Sequence, residues 1–329
     1  MPKIIYNTGG SIAVGIDVKK VGISRLLGFV DAADIKVPAE QFIRVGSAVL
    51  YVDDDVQLTW TDLDTGSEQS GKNYFVYACI PASGDTPVFK ISLNSSYPQG
   101  YDANNSRKIG GFHNNPDGDI LQYSLWDLCF KPACPNPCGM VYDPGSNVWV
   151  DIYLAADDGA GGIKSENGAT ILDTIDWYSF VDRGKKVGKR LTRYDEFMSY
   201  AAGSPEEENI QGSADPVTTG GHQTTGSNRM KSTIGVEDCA GAMYQWGLGN
   251  SYRLDGADLA ACQAWAWYDL PGAKGSAYHQ GTYGIIQPRF GGSWSDGTSC
   301  GSRYINLLGY PWNASSSVGA RFACGCVNL

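Results

Sequence analysis

Phe290-Gly-Gly-Ser-Trp294, followed by Gly301-Ser-Arg303, Pro311 and Val318-Gly-Ala-Arg321, is the part of this 329-residue sequence on which its fold is decided. Glycines 291, 292, 301 and 319 suit tight turns or a close approach of one backbone to another, where a side chain would collide. Trp294 and Phe322 have the bulk of core residues. Arg303 and Arg321 can each pin several loop carbonyls, because a guanidinium presents its donors in a fixed fork. Between these points lie Ser295, Asp296, Ser299, Tyr304, Asn306, Leu308, Tyr310, Trp312, Asn313 and Ser317. Such a mixture suits a ligand-binding surface: rigid aromatics supply contact area at low entropic cost, and small polar groups supply adaptable hydrogen bonds. Tyr304 and Leu308 also have the character of core residues, whereas Trp312, Asn313 and the Ser315–Ser317 run suit exposure.

Working outward, Gly235-Val-Glu-Asp-Cys-Ala-Gly-Ala-Met-Tyr-Gln-Trp246 reads as a small-residue turn leading into a buried tryptophan. The segment from Met140 to Leu154 contains two alternating apolar runs joined by Asp-Pro-Gly-Ser-Asn, a strong hairpin signal. Two short helices follow. Asp173–Asp182 places Trp177, Phe180 and Val181 on one face with Asp173 as N-cap. Thr192–Ala202 places Phe197, Met198 and Ala201 on another, with Thr192 as cap and Gly203 as the stop. Short helices on a small antiparallel sheet make an α+β arrangement over residues 116–329.

Residues 1–115 read as a separate β-rich module for attachment or assembly. Gln41–Val52 and Asn73–Ile80 are rich in β-branched and aromatic residues, punctuated by Pro81, Gly84-Asp85 and Asn94–Pro98. A helical turn is expected near Pro38–Phe42. The glycine-rich Thr8–Gly15 lacks the spacing of a phosphate or dinucleotide loop and reads as a strand turn. Tyr101–Gly118, polar and rich in glycine, reads as a connector. The long polar stretch 203–230 reads as a functional or firmly pinned loop, with His222 an ordinary loop histidine.

The formal net charge of -10 argues against a nucleic-acid partner, which needs a clustered basic face. The one short basic cluster, Arg183 to Arg190, reads as a solvated helix end. Asp54-Asp55, Asp157-Asp158 and Glu206–Glu208 read as solvated acidic runs. No apolar run is long enough for a membrane span, and the N-terminus lacks a signal-peptide layout. Nine cysteines are odd in number and scattered. The steps between Cys129, Cys134 and Cys138 do not match a zinc ribbon, so buried thiols or one local disulfide are expected, and no metal or cofactor.

The ordered islands from Phe290 to Arg321 resemble the variable region of diversity-generating retroelement proteins. Gly235–Trp246 is similar to the corresponding turn of C-type-lectin folds of the formylglycine-generating-enzyme type. The resemblance extends over roughly residues 120–329 and is most specific in the last forty. It implies a C-type-lectin-like domain, with a variable region at 285–329 whose interspersed positions are rewritten by mutagenic reverse transcription. The ten residues from Ser295 to Ser317 named above would then form the binding surface, with Tyr310 and Trp312 as anchors. The expected partner is a host-cell surface protein or glycan receptor, and the expected location a virus particle, at its tail or surface. A homotrimer would suit a tail-fibre tip and add avidity, although no sequence feature points to it.

The same fold family includes the formylglycine-generating oxidases, which implies the alternative function. Those enzymes use two cysteines with copper. Here one of those positions is Asp296, and Cys300 alone cannot supply a two-thiolate copper(I) site. There is no H-E-x-x-H helix, and His113, His222 and His279 stand far apart in sequence. Gln287-Pro-Arg289 shares two residues with a calcium-lectin tripeptide, but arginine replaces the needed oxygen ligand. The expectation is a binding protein and not an enzyme.

Overall fold

Met140–Asp143 and Val148–Asp151 pair antiparallel, with Met140 opposite Asp151 and Asp143 opposite Val148, so the hairpin forms where the turn signal stands. Asn147 takes the left-handed conformation in the turn, at φ 55°. The Asp143 carboxylate accepts from the Gly145 amide and the Ser146 hydroxyl. The computed structural model describes residues 3–6, 18–20, 25–84, 86–210, 224–225, 228–249, 251–253, 266–269, 275–279 and 284–328. The turn read at Thr8–Gly15, His222 and Cys262 lie outside them. The described residues are mostly β, with two short helices among them.

Contacts divide the chain into two units. One holds the residues up to Lys131 together with those from Cys326 onward, and the other holds Pro132–Gly325. Residues 116–131 therefore group with the first unit, whereas the change in composition suggested a division at 115/116.

In the first unit, Gln41–Val45 and Ala48–Val52 form a hairpin around Gly46, within a four-stranded sheet. Gln41, Ile43 and Val45 point inward by strict alternation, as period-two patterning requires. The helical turn expected at Pro38–Phe42 does not form, because its last two residues already belong to that strand. A second four-stranded sheet is ordered Trp126–Asp127, Ser106–Asn114, Lys72–Cys79, Val88–Ser92.

The connector expected at 101–118 is thus in large part an interior strand. Its glycines serve close packing rather than turns. A Cβ on Gly111 would lie 2.5 Å from the Tyr74 carbonyl oxygen and 2.9 Å from the Trp126 ring. Ile109 and Phe112 beside them join the apolar core with Ile43, Val76 and Ile91. Asp127 closes the unit: its carboxylate accepts from the amides of Leu26, Leu27, Cys129 and Phe130 and pairs with Arg25.

His113 sits on the same strand, wholly buried, with Nδ1 2.9 Å from Asn73 Oδ1. Burial disfavours the imidazolium and brings its pKa down to about 3. The folded chain therefore binds this proton less readily than the unfolded one. The stability associated with neutral His113 is complete above about pH 6.5 and is lost as pH falls toward 3. Thermal melts of the full chain between pH 7 and pH 4 should show a falling midpoint. His113→Gln, which keeps a hydrogen-bonding side chain without the titration, should flatten that slope; an equal slope in the variant would refute the assignment.

In the second unit, the 140–151 hairpin is extended by Phe322–Cys324 and then Arg190–Leu191. A larger sheet runs in the order Ala266–Asp269, Ser276–His279, Ile305–Gly309, Gly284–Phe290, Tyr244–Trp246, Val318–Ala320, with Ser251–Arg253 paired to Gly284–Phe290. Pro288 cannot donate to a ladder, and the pairing of its strand with Ile305–Gly309 shifts register between Gln287 and Arg289. Helix α1 spans Trp177–Lys186 and α2 spans Tyr194–Tyr200.

Both helices begin later than the sequence pattern suggested. Asp176, not Asp173, caps α1, its carboxylate accepting from the Ser179 amide at 2.8 Å. Thr192 does not cap α2: its backbone bonds Arg321 and Leu248, and the Glu196 carboxylate reaches back to the Arg193 amide instead. Phe180, Phe197 and Ala201 are buried as expected. The basic cluster is only partly a solvated helix end. Lys189 is buried against Asp151 at 2.6 Å, and Arg190 pairs with Glu196.

Arg321 lies at the centre of this unit with no exposed surface. Its guanidinium donates to the carbonyls of Asp151, Ile152, Glu237 and Asp238, and its Nε to Gln245 Oε1 at 3.0 Å. Arg321→Met removes all of these donors and leaves buried carbonyls unmatched, at a cost of roughly 3–5 kcal/mol. The expected outcome is a melting midpoint lower by about 10 °C or more, read by calorimetry. A change of only a degree or two would show that the carbonyls find other donors.

Candidate ligand-binding surface

Strand Ile305–Gly309 and the loops on either side of it carry all ten residues singled out in the sequence, and the structure sorts them by depth. Tyr304 is completely buried and Asn306 is 4 % exposed. Ser299, Leu308, Tyr310, Ser317 and Asp296 are half-buried, and Ser295, Trp312 and Asn313 are exposed.

The buried pair results from strand alternation. Tyr304 lies 5.9 Å from the Tyr244 ring and 5.4 Å from the Trp267 ring. Asn306 Oδ1 accepts from the Leu308 amide at 2.8 Å and from Arg289 Nη2 at 3.3 Å. Arg289 is itself buried over the Tyr244 and Trp246 rings, and burial pulls its pKa below the usual guanidinium range. The Tyr244 hydroxyl donates to Asp296 Oδ1 at 2.9 Å. Burial, with the Asp296 charge beside it, pushes that phenol up to about 12.

The exposed part is the loop 310–317. Tyr310 and Trp312 stack with ring centroids 5.2 Å apart and planes within 7°, and Trp312 is 62 % exposed. The loop is fastened through its backbone. The Pro311 carbonyl accepts from the Trp177 amide at the start of α1, and the Ser315 carbonyl from Thr174 and Val318. The Ser317 carbonyl accepts from Tyr244. A first-turn helix amide has no partner within the helix, so Pro311 fills a position that something must fill. Asn313 N–H donates to Tyr310 O at 2.9 Å, closing a turn under the stack.

The second loop, 295–299, turns about Asp296, whose Oδ2 accepts from the Ser293 amide and hydroxyl. Gly291 and Gly292 both have positive φ, at 84° and 78°. A Cβ on either would lie 2.7 Å from an existing atom, the Cys239 carbonyl oxygen or Cys300 Sγ. Trp294 is half-buried rather than central, while Trp246 and Phe322 are fully inside. Arg303 is half-buried and its carbonyl accepts from the Tyr194 hydroxyl. Cys300 is buried, its Sγ 3.4 Å from the Ser293 carbonyl, and burial pushes its thiol above the ordinary range. The Gln287-Pro-Arg289 tripeptide lies in a strand interior with Gln287 and Arg289 buried.

Trp267 and Tyr278 were not singled out in the sequence. They face each other across the 266–279 hairpin, with rings 4.5 Å apart, and Tyr278 pairs with Asn306 in parallel register. Trp267 remains 40 % exposed while covering Tyr304. The aromatic run Trp265-Ala-Trp-Tyr268 was the available signal. Among the described residues, no three His, Cys, Asp or Glu side chains converge in a way that could hold a metal ion.

The fold and this surface define a class: a two-unit, mostly β protein whose second unit holds side chains on backbone-tethered loops over a rigid, arginine-centred core. Residues 26–127 match the family described as Mtd second domain. The chain is similar over nearly its whole length to the major tropism determinants. Superposed on the P3c variant it gives a TM-score of 0.76 at 26 % identity, covering 95 % of this chain and 86 % of the other. The U1 variant gives 0.74 at 26 %, with 93 % and 84 % covered. The tail fiber receptor-binding protein of Bordetella phage BPP-1 is 28 % identical over 327 residues, spanning 89 % of this chain and 80 % of that one. The likeness thus includes the N-terminal unit, where the sequence alone offered no family signal.

Trp312→Ala should leave the melting midpoint nearly unchanged, whereas Tyr304→Ala should cost about 3–5 kcal/mol, as expected for a buried aromatic. Differential scanning of the two variants side by side checks this; equal losses would mean that the Tyr310–Trp312 stack is part of the core.

Proposed function

We propose that this chain is a receptor-binding protein of a phage tail fibre, whose second unit is a C-type-lectin-like domain presenting a diversifiable surface. The exposed, parallel Tyr310–Trp312 stack on a loop held by backbone bonds carries the reading. Large exposed aromatics on a rigid support are what a binding interface uses as anchors. Ser295, Asp296, Ser299, Asn313 and Ser317 would surround the anchors with polar groups, Leu308 would add an apolar one, and Trp267 would extend the surface. Tyr304 and Asn306 would act from beneath, setting the position of the side chains above them. Support also comes from the tail fiber receptor-binding protein and the tropism determinants to which the chain is similar.

The ligand of this reading is a protein or glycan on the host-cell surface, and the location is the virus particle. No helix among the described residues is long and apolar enough to cross a membrane. A trimer would multiply weak single-site affinity by raising effective concentration. A binder rather than an oxidase is favoured by the paired positions at the loop. Asp296 is engaged with Ser293 and Tyr244, and the Cys300 thiol is buried and resists ionisation.

Trp312→Ala and Asn313→Ala should abolish adsorption to host cells while the folded fraction stays unchanged, measured by cell pull-down beside circular dichroism. Undiminished adsorption by both variants would overturn the reading. Sequencing of the encoding locus tests diversification separately. A reverse-transcriptase gene and a near-copy of the DNA for residues 285–329, differing only at adenines, are expected. Their absence would leave a lectin-like binder with a fixed surface.

A further inference from the structure

Cys134 and Cys324 are buried thiols to which the binding surface gives no task. The Ala133 amide donates to the Gly325 carbonyl at 2.8 Å, which brings the adjoining Cys134 and Cys324 together. Their thiols interact directly, and that contact is the largest influence on the ionisation of each, lowering Cys134 and raising Cys324. The Lys189 ammonium, fixed by Asp151 at 2.6 Å, adds its positive charge in favour of the Cys134 thiolate. Cys134 Sγ also lies 3.2 Å from the Asn136 carbonyl oxygen and 3.6 Å from Met140 Sδ. A thiol beside a lysine is the more nucleophilic of such a pair, and its neighbour is placed to resolve it.

We propose that Cys134 and Cys324 are an oxidative cross-linking site, closed to a disulfide by hydrogen peroxide when the protein leaves reducing surroundings. The Cys134 thiolate attacks a peroxide oxygen. The O–O bond breaks to give a sulfenic acid and hydroxide, which takes up the Cys134 proton as water. The Cys324 sulfur then attacks the sulfenic sulfur, and the displaced hydroxyl leaves as a second water with the Cys324 proton. Two thiols lose two electrons in total and one peroxide is reduced to two waters. The resulting bond ties the strand that follows Arg321 to the segment at the start of the second unit. It closes a loop from 134 to 324, so the unfolded chain loses much of its freedom. The site is independent of the ligand and of the proposed function.

The test uses the full chain, purified reduced, treated with hydrogen peroxide, then alkylated in denaturant and mapped by tandem mass spectrometry. Cys134 and Cys324 should be lost together, in a cross-linked peptide whose fragments join the two. The melting midpoint should rise by several degrees and fall again on reduction. In Cys324→Ser, dimedone should trap a sulfenic acid on Cys134. Should that variant fail to fold, the map of the unaltered chain still decides the matter. Both residues fully alkylated after peroxide has oxidised half-exposed Cys138, or a cross-link joining either to a different cysteine, would overturn the proposal.

Discussion

The second unit depends on one buried guanidinium. Arg321 collects the carbonyls of Asp151 and Ile152 from the end of the hairpin, those of Glu237 and Asp238 from the turn before the Tyr244 strand, and Gln245 from that strand itself. The hairpin end is far in sequence from the other two segments, and the acceptors are four backbone carbonyls and the Gln245 side-chain oxygen. Buried carbonyls without donors are costly, and a single planar group with several N–H bonds satisfies them together. Lysine could not do so, because its three donors diverge from one point. Trp246, Phe322 and Ala320 pack in the apolar cluster on the segments that Arg321 draws together.

From that centre the binding loops inherit their rigidity. The loop 310–317 is fixed by carbonyls of its own backbone accepting from Trp177, Thr174, Val318 and Tyr244. Backbone tethers do not depend on which side chain stands at a position. Trp312 and Asn313 could therefore be exchanged with little effect on the path of the chain, which is the requirement for a surface meant to change. The Asp296 loop differs. Its shape comes from a side chain, since Asp296 accepts from Ser293 and from Tyr244, so replacing it would alter the loop as well as the surface.

Much of this was legible in the sequence where local chemistry decides. The hairpin signal around Asp143–Asn147, the apolar stripe through Phe180 and Phe197, and the multivalent use of Arg321 all depend on the residues themselves. The signal failed where the partner is distant. Gly110 and Gly111 have the look of a linker, and only the opposing Trp126 and Tyr74 make them interior residues of a strand. The helix starts moved because Asp173 and Thr192 are equally good caps by type, while tertiary bonds draw Thr192 into the Arg321 neighbourhood. The place of Trp267 depends on a parallel pairing between residues nearly thirty positions apart, which periodicity does not encode.

Tyr304 and Asn306 show the limit of a pattern argument most clearly. Tyr304 and Asn306 stand two positions apart at the start of the strand, and the same alternation that groups them directs both against Tyr244, Trp267 and Arg289, whereas Tyr310 and Trp312 lie beyond the strand in the following loop. An aromatic or an asparagine at such a position has the composition of a binding surface and the environment of a core. Asn306 satisfies the Leu308 amide and the Arg289 guanidinium at once, so its replacement by an apolar residue would leave a buried cation with one partner fewer. Tolerance to substitution should therefore fall with depth from the loop 310–317 back to Asn306 and Tyr304. The surface is two-tiered: an outer layer in which side chains are free to differ, carried by an inner layer in which they are held to a few choices by what lies beneath.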